Sequence, residues 1–255
     1  MEVNIKILLL DIETAPHRAY VWGLWKQNVA INQIEEAGYT LCWAAKWVGE
    51  KEMMFSSSFN NNVKKMLVSI HTLLEEADAV IHYNGNRFDI PTLNQEFLKA
   101  GMKPPKSPIN IDLLLTARRR FRLPSNKLSY VAEYLDVGKK VAHKGMQLWR
   151  DCMAGDANAW KIMERYNKQD VRLLEAVYEK LLPWIPNHPN HALFTDKDVP
   201  VCPNCGSFHL QRRGFYHTKT LSYQRFQCQD CGAWSRERLT SLSLEKRRNV
   251  LVGTI

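Results

Sequence analysis

In "IKILLLDIETAP", residues 5–16, a run of core-type side chains stops on two acids, Asp11 and Glu13. Residues i and i+2 of a strand point to one face, so both carboxylates can reach a single point. Two such charges held close together repel unless a cation lies between them. Hard oxygen donors of this kind suit Mg²⁺ or Mn²⁺. The plainer reading is a strand end in solvent. Two later stretches carry further acids. In "VIHYNGNRFDIPTL" Asp89 opens a helical pattern, either as its N-cap or as another ligand. In "RYNKQDVRLLEAVYEKL" Asp170 lies near the apolar side formed by Val171, Leu174 and Val177, and Tyr166 stands four residues earlier on the same face. A surface Tyr–Asp pair is the alternative there. Four thiols form a second candidate centre: Cys202/Cys205 and Cys228/Cys231 are two C-x-x-C pairs, each followed by Gly, around 22 intervening residues. With no secretory signal this spacing reads as zinc rather than disulfides. Four thiolates leave zinc no open position, so the ion is structural and contributes on the order of 10 kcal/mol to folding a small module. Cys42 and Cys152 read as packing residues, and His209 and His217 as surface residues.

The acids need a scaffold. "NIKILLL" and "YTLCWAAKWV" read as strands, with "KEMMFSSSF" hairpinning back through "GEK". Residues 63–77 place Val63, Met66, Leu67, Ile70, Leu73 and Leu74 at helical spacing. "DAVIHYN" is a short apolar strand, and "DIPTLNQEFLKAG" a helix with Pro in its first turn and Gly101 as its stop. Helical patterns follow in "IDLLLTARRRF", "KLSYVAEYLDV" and "DANAWKIMERYNKQDVRLLEAVYEKLLPWI". Strands followed by helices with a strand between them predict an α/β or α+β fold with a mixed sheet. Residues 186–200 read as a Pro- and Asn-rich linker. The chain beyond it divides into a metal-binding segment over 201–240 and a loose basic tail over 241–255.

"DIET", "NGNRFD" and "YNKQD" stand in the order and spacing of the three motifs of the DEDD superfamily, so the chain resembles the DnaQ-like 3′–5′ exonucleases. Asn84-x-x-x-Phe88-Asp89 looks like the second motif of family-B DNA polymerase proofreading domains. Tyr166-x-x-x-Asp170 matches the tyrosine branch, whereas the histidine branch would need His where Arg165 stands. The resemblance covers roughly residues 5–182 and implies a ribonuclease H-like α/β domain over 1–185, a mixed sheet flanked by helices. It assigns Asp11, Glu13 and Asp170 to one Mg²⁺ or Mn²⁺, makes Asp11 a bridge to a second, and gives Asp89 to that second ion. Tyr166 would orient or deprotonate the attacking water. Asn84 would touch the terminal nucleotides, although a turn residue is an equal reading. Phe88 is a wedge beside a base or a core residue, and the backbone at Ile12 and Thr14 would line the 3′-end pocket. The cysteine segment resembles a zinc ribbon.

The net charge of +9 is uneven: residues 202–255 hold nine Lys/Arg against three Asp/Glu, and residues 1–201 hold 26 against 23. A basic tail on a near-neutral body predicts a polyanionic partner. Arg118, Arg119, Arg120, Arg122 and Lys127, joined by Lys139, Lys140 and Lys144, form a candidate phosphate rim. In the cysteine segment Phe208, Arg212, Arg213, Phe215, Tyr216, Lys219, Tyr223 and Arg225 could hold a strand by charge and stacking; protein docking is the competing reading. Tyr20, Trp22 and Trp25 either stack bases or pack. Asp112 reads as a helix cap. The expectation is a stand-alone 3′–5′ exonuclease using two Mg²⁺ or Mn²⁺ and one structural Zn²⁺. Its partner would be a single-stranded 3′ end, DNA favoured over RNA, and it could serve a polymerase or repair protein in trans. The alternatives are a protein that binds nucleic-acid ends without cutting, its ribbon docking a partner, and an endonuclease. No apolar run has bilayer length and no leader is evident, so a cytoplasmic protein without a membrane partner is expected, in the host cytoplasm if the source is viral.

Overall fold

The computed structural model describes residues 5–142, 144–196 and 199–254, so the outermost residues of the expected domain and tail, and two of the expected linker, lie outside it. The chain divides into two compact units, Lys6–Glu179 and the chain from Lys180 onward.

In the larger unit β1 (Ile7–Thr14) is followed by a two-stranded ribbon of β2 (Arg18–Ala19) and β3 (Ile34–Glu36), then β4 (Thr40–Trp47) and β5 (Met54–Ser57). Helix α1 (Val63–Glu76), β6 (Ala79–His82), α2 (Asp89–Lys99) and β7 (Ile109–Asp112) come next, then α3 (Leu113–Arg120), α4 (Leu128–Tyr134), α5 (Met146–Met153) and α6 (Ala157–Leu181). The main sheet runs β5-β4-β1-β6-β7. β1 is antiparallel to β4 and parallel to β6, and β6 is parallel to β7. The mixed sheet is therefore the expected one, with β7 and α5 added: the short "INID" merges into a helical pattern, and eight residues of α5 give too little periodicity to stand out.

Alternation along β1 sorts its two faces. Leu8, Leu10 and Ile12 are buried against Met66, Leu67, Ile70, Leu93 and Phe97 of α1 and α2. The opposite face belongs to α5 and α6, whose Leu148, Cys152, Trp160, Met163 and Tyr166 pack with Leu41 and Cys42. Asp11 and Glu13 share that face, because their register partners are Ala44 and Cys42. Along α6, Met163, Tyr166, Asn167, Asp170, Val171, Leu174 and Val177 are all buried, so two polar residues interrupt an otherwise apolar stripe.

The smaller unit holds β8 (Leu210–His217), β9 (Ser222–Cys228) and β10 (Trp234–Arg236) in the order β10-β9-β8. The expected loose tail contains a short helix, α7 (Leu244–Arg248), capped by Ser243 accepting from the Lys246 amide. The segment expected as a linker is partly packed: Ile185 is buried, the His188 and His191 rings stack 5.6 Å apart, and the His191 amide donates to Pro203 O. No helix among the described residues is long and apolar enough to cross a membrane.

Candidate metal centre

Asp11, Glu13 and Asp170 each bring a carboxylate oxygen to within 4.8 Å of the others. Strand β1 supplies two of them by its alternation, and α6 supplies the third from its buried stripe. Asp89 stands outside this tight group, but its charge still pushes the Asp11 and Glu13 carboxyls upward. The pairing of β1 with β6 ends at Leu9↔Ile81, leaving the Ile12 amide without a strand partner. Asp89 Oδ1 accepts from that amide at 3.1 Å. The N-cap position of α2 belongs to Phe88, so Asp89 is the first helical residue and its cap reading is overturned. The same bond occupies the amide of Ile12, whose side chain is buried in the core. Thr14 follows a register break against β4 and is half-buried.

Burial first, then the neighbouring carboxylates, raises Asp11 well above the usual range. Burial and then Asp170 lift Glu13 to about 8. Burial brings Asp89 to about 7 against the opposing bond from Ile12. Tyr166, buried beside Asp170, has its phenol held upward by burial and then by that charge, so it remains a hydrogen-bond donor. This donor chemistry fits a hard divalent ion: oxygens only, several charges, and mutual repulsion that a cation relieves.

Two residues join the centre without having been assigned to it. Lys140, expected on the phosphate rim, sets Nζ 2.6 Å from Asp170 Oδ2 and 3.5 Å from the Tyr166 hydroxyl, and its charge pulls Asp11 and Glu13 downward. Asn167, fully buried, donates from Nδ2 to Asp11 Oδ2 at 2.7 Å and lies 3.3 Å from the Asp11 carbonyl. The sequence signal for Asn167 was available, a polar residue in an apolar helical stripe. Lys140 lies outside the regular elements, where no periodicity announces it. Cys42, opposite Glu13, is a buried packing thiol.

The loop between β6 and α2 is locked from beneath. His82 is fully buried, accepts from the Gly85 amide at Nδ1 (3.0 Å) and faces Asn110 Oδ1 through Nε2 (3.3 Å). A Cβ at Gly85 would fall 2.3 Å from the His82 ring, so this position requires glycine. Asp112 caps α3 through the Leu114 and Leu115 amides, as expected, and also accepts from the Asn84 amide at 3.0 Å. Asn84 has φ +69° and is a turn residue. Phe88 is 42% exposed, which removes its core reading. Arg118, Arg119 and Arg120 are exposed at the end of α3. Trp22 and Trp25 are 100% and 87% exposed, and Tyr20 is also exposed, so packing does not account for them.

The sulfurs of Cys202, Cys205, Cys228 and Cys231 converge within 4.8 Å. Cys202–Cys231 and Cys205–Cys228 are each 3.6 Å apart, close to the ~3.8 Å edge of a tetrahedron with Zn–S bonds of about 2.3 Å. Burial raises the Cys228 thiol, but the Cys231 and Asp230 amides outweigh it and bring it to about 7. The cluster is thus compatible with zinc. His209 is exposed and pairs with Asp230 at 3.0 Å. On the arms Arg212 stands opposite Phe226, whereas Arg213 lies within a break of register.

The profile of the RNase_H superfamily matches residues 8–182. A DNA polymerase of Pyrococcus glycovorans is 26% identical over 200 residues, 69% of this chain and 24% of its own length. DNA polymerase 1 of Pyrococcus abyssi is 26% identical over 175 residues, 58% of this chain and 22% of its own. Among solved structures, the family B DNA polymerase of the hyperthermophilic archaeon Pyrobaculum calidifontis aligns with a TM-score of 0.54 and 20% identity, covering 71% of this chain and 25% of that one. The chain therefore spans about a quarter of the polymerases it matches. These matches agree with the resemblance drawn from the three motifs.

Proposed function

Because the chain belongs to the RNase_H superfamily, we propose that it is a divalent-metal-dependent 3′–5′ exonuclease acting on single-stranded nucleic acid, DNA in preference to RNA. The observation that carries this reading is the convergence of Asp11, Glu13 and Asp170, with Asp89 tied to the same strand end. Asp11, Glu13 and Asp170 would hold one Mg²⁺ or Mn²⁺, and Asp11 with Asp89 a second. Ions so bound acidify water and stabilise charge on the attacking and leaving oxygens of an in-line displacement.

The chain's own groups then have distinct tasks. Asn167 fixes the rotamer of Asp11, and Tyr166 orients the attacking water through its hydroxyl. Lys140, with Nζ 2.6 Å from Asp170 Oδ2, places a positive charge beside the ion site, where it would also meet a substrate phosphate. Asn84 and Phe88, at the tip of the loop locked by His82 and Asp112, meet the terminal nucleotides. Arg118 contributes to a phosphate rim. The four cysteines hold one structural Zn²⁺, and the ribbon they close helps retain the strand. A polymerase or repair protein in trans is the partner this activity would serve.

End-labelled single-stranded DNA and RNA, incubated with Mg²⁺, with Mn²⁺ or without either, test the proposal. Stepwise release of mononucleotides from the 3′ end is the expected result. Internal cuts would replace it with an endonuclease, and stable binding without cleavage would replace it with a protein that recognises ends.

A further inference from the structure

Strand alternation and register place Tyr216, Tyr223, Arg225, Trp234 and Arg236 on one face of the ribbon's sheet, because Tyr216 pairs with Tyr223 and Arg236 with Arg225. The guanidinium carbon of Arg236 lies 3.9 Å from the centre of the Tyr223 ring and 5.5 Å from that of Tyr216; that of Arg225 lies 4.7 Å from the Trp234 ring. Rings and guanidiniums thus alternate across three strands. Trp234 and Arg236 belonged to no predicted site, because the face they complete exists only once β10 pairs with β9.

This arrangement decides how the face can be used. Tyr223 is buried beneath Arg236, and Arg225 takes one face of the half-exposed Trp234, so a base could reach only what the arginines leave open. What remains presented are the in-plane N–H edges of two guanidiniums, and such edges match phosphate bidentately. Each fork has five donors and directs one to the main chain: Arg225 Nε donates to Arg213 O at 3.1 Å, and Arg236 Nη1 to Glu237 O at 3.0 Å. Each guanidinium is thus tethered at one N–H and against a ring. Among the described residues neither has a carboxylate partner. The two are also register partners, and like charges placed directly opposite each other on neighbouring strands are destabilising. A polyanion offering a phosphate to each guanidinium would relieve that repulsion.

We infer that this face of the ribbon grips the sugar–phosphate backbone of a single strand through the edges of Arg225 and Arg236, with the aromatic rings orienting the arginines instead of stacking bases. The inference rests on the nuclease reading for its choice of polyanion. It predicts a grip indifferent to base identity, as an exonuclease that moves along any sequence requires.

The test uses the full chain with zinc bound and no Mg²⁺ or Mn²⁺ added, so that nothing is cut. Fluorescence anisotropy compares a labelled 20-mer of thymidylate with an abasic 20-mer carrying the same number of phosphates. Arg225→Gln with Arg236→Gln should weaken both by the same factor, about ten-fold, and should lower the slope of log affinity against log salt by ~1.4, two contacts at about 0.7 each. Retention of one zinc per chain shows that the variant ribbon is folded. Arg225→Lys with Arg236→Lys, which keeps the charge without the fork, should retain the slope and lose affinity. A loss confined to the base-bearing strand, or wild-type affinity and slope in the folded glutamine variant, would overturn the inference. So would displacement of the strand by polyglutamate at equal charge concentration, which would assign the face to an acidic protein. Mononucleotide release by the wild-type chain on adding Mn²⁺ is scored separately, so failure of the nuclease reading is distinguishable from failure of the grip.

Discussion

The ammonium of Lys140 lies 2.6 Å from Asp170 Oδ2, so a lysine outside the regular elements meets a carboxylate that α6 keeps buried. The ammonium sets positive charge beside the acids and pulls the Asp11 and Glu13 carboxyls downward. A divalent ion would take over that task. Lys140→Met should therefore destabilise the metal-free chain by about 2 kcal/mol, in the range for a hydrogen bond to a charged group, or about 4–8 °C in Tm. In saturating Mn²⁺ the deficit should fall by at least half. Thermal melts of both proteins, with and without Mn²⁺, check this; an equal deficit in the two conditions would dissociate Lys140 from the ion site.

Tyr166 brings its hydroxyl to 3.5 Å from Lys140 Nζ beside Asp170, and Tyr166→Phe removes that oxygen while keeping every carboxylate. Tyr166→Phe should slow turnover about 10²–10⁴-fold, the usual worth of a positioned acid–base group, while Mn²⁺ affinity changes less than about three-fold. Calorimetric titration beside single-turnover cleavage separates the two effects. Unchanged turnover would remove Tyr166 from the mechanism.

Asn167 is a positioning residue, since it touches Asp11 and no reacting atom. Asn167→Ala leaves Asp11 Oδ2 without its 2.7 Å donor, at a cost of about 1–3 kcal/mol in stability. Mn²⁺ binding should weaken about ten-fold, because Asp11 loses its fixed orientation, and a titration without substrate reads this directly. An unaltered Mn²⁺ affinity would show that Asp11 is held by other contacts.

The raised carboxyls give the metal-free chain an unusual pH dependence. Glu13 titrates near 8 and Asp89 near 7 in the folded chain, whereas both lose their protons near 4 when unfolded. Between those values the folded state binds more protons, so stability falls as pH rises, by about 1.4 kcal/mol per pH unit for each extra proton. The contribution is complete at acid pH and is lost through 7 and 8. Urea midpoints from pH 5.5 to 8.5 without divalent ions should decline, and Glu13→Gln should flatten the upper part. Midpoints that climb across this window would contradict the burial of these acids.

Much of this centre was legible beforehand. The i, i+2 spacing of Asp11 and Glu13 needs only a strand to place both on one face, and Asp170 needs only the apolar side of a helix. Other parts depend on contacts that spacing cannot encode. Asp89 takes the Ile12 amide because β6 stops pairing with β1 after Leu9, which is a property of the assembled sheet. Lys140 comes from an irregular segment and looked like one more surface cation among several. The ribbon face was legible in composition but not in arrangement, since cross-strand register decides that Arg236 covers Tyr223.

If one pocket of carboxylates binds the ions on which hydrolysis depends, those ions can be counted. Titration of the zinc-loaded chain with Mn²⁺ should give two bound ions per chain. Asp11→Asn, which removes the shared ligand, should abolish tight binding of both while Zn²⁺ content stays the same. Mn²⁺ binding of equal stoichiometry and affinity in that variant would show that the carboxylates do not share their ions through Asp11.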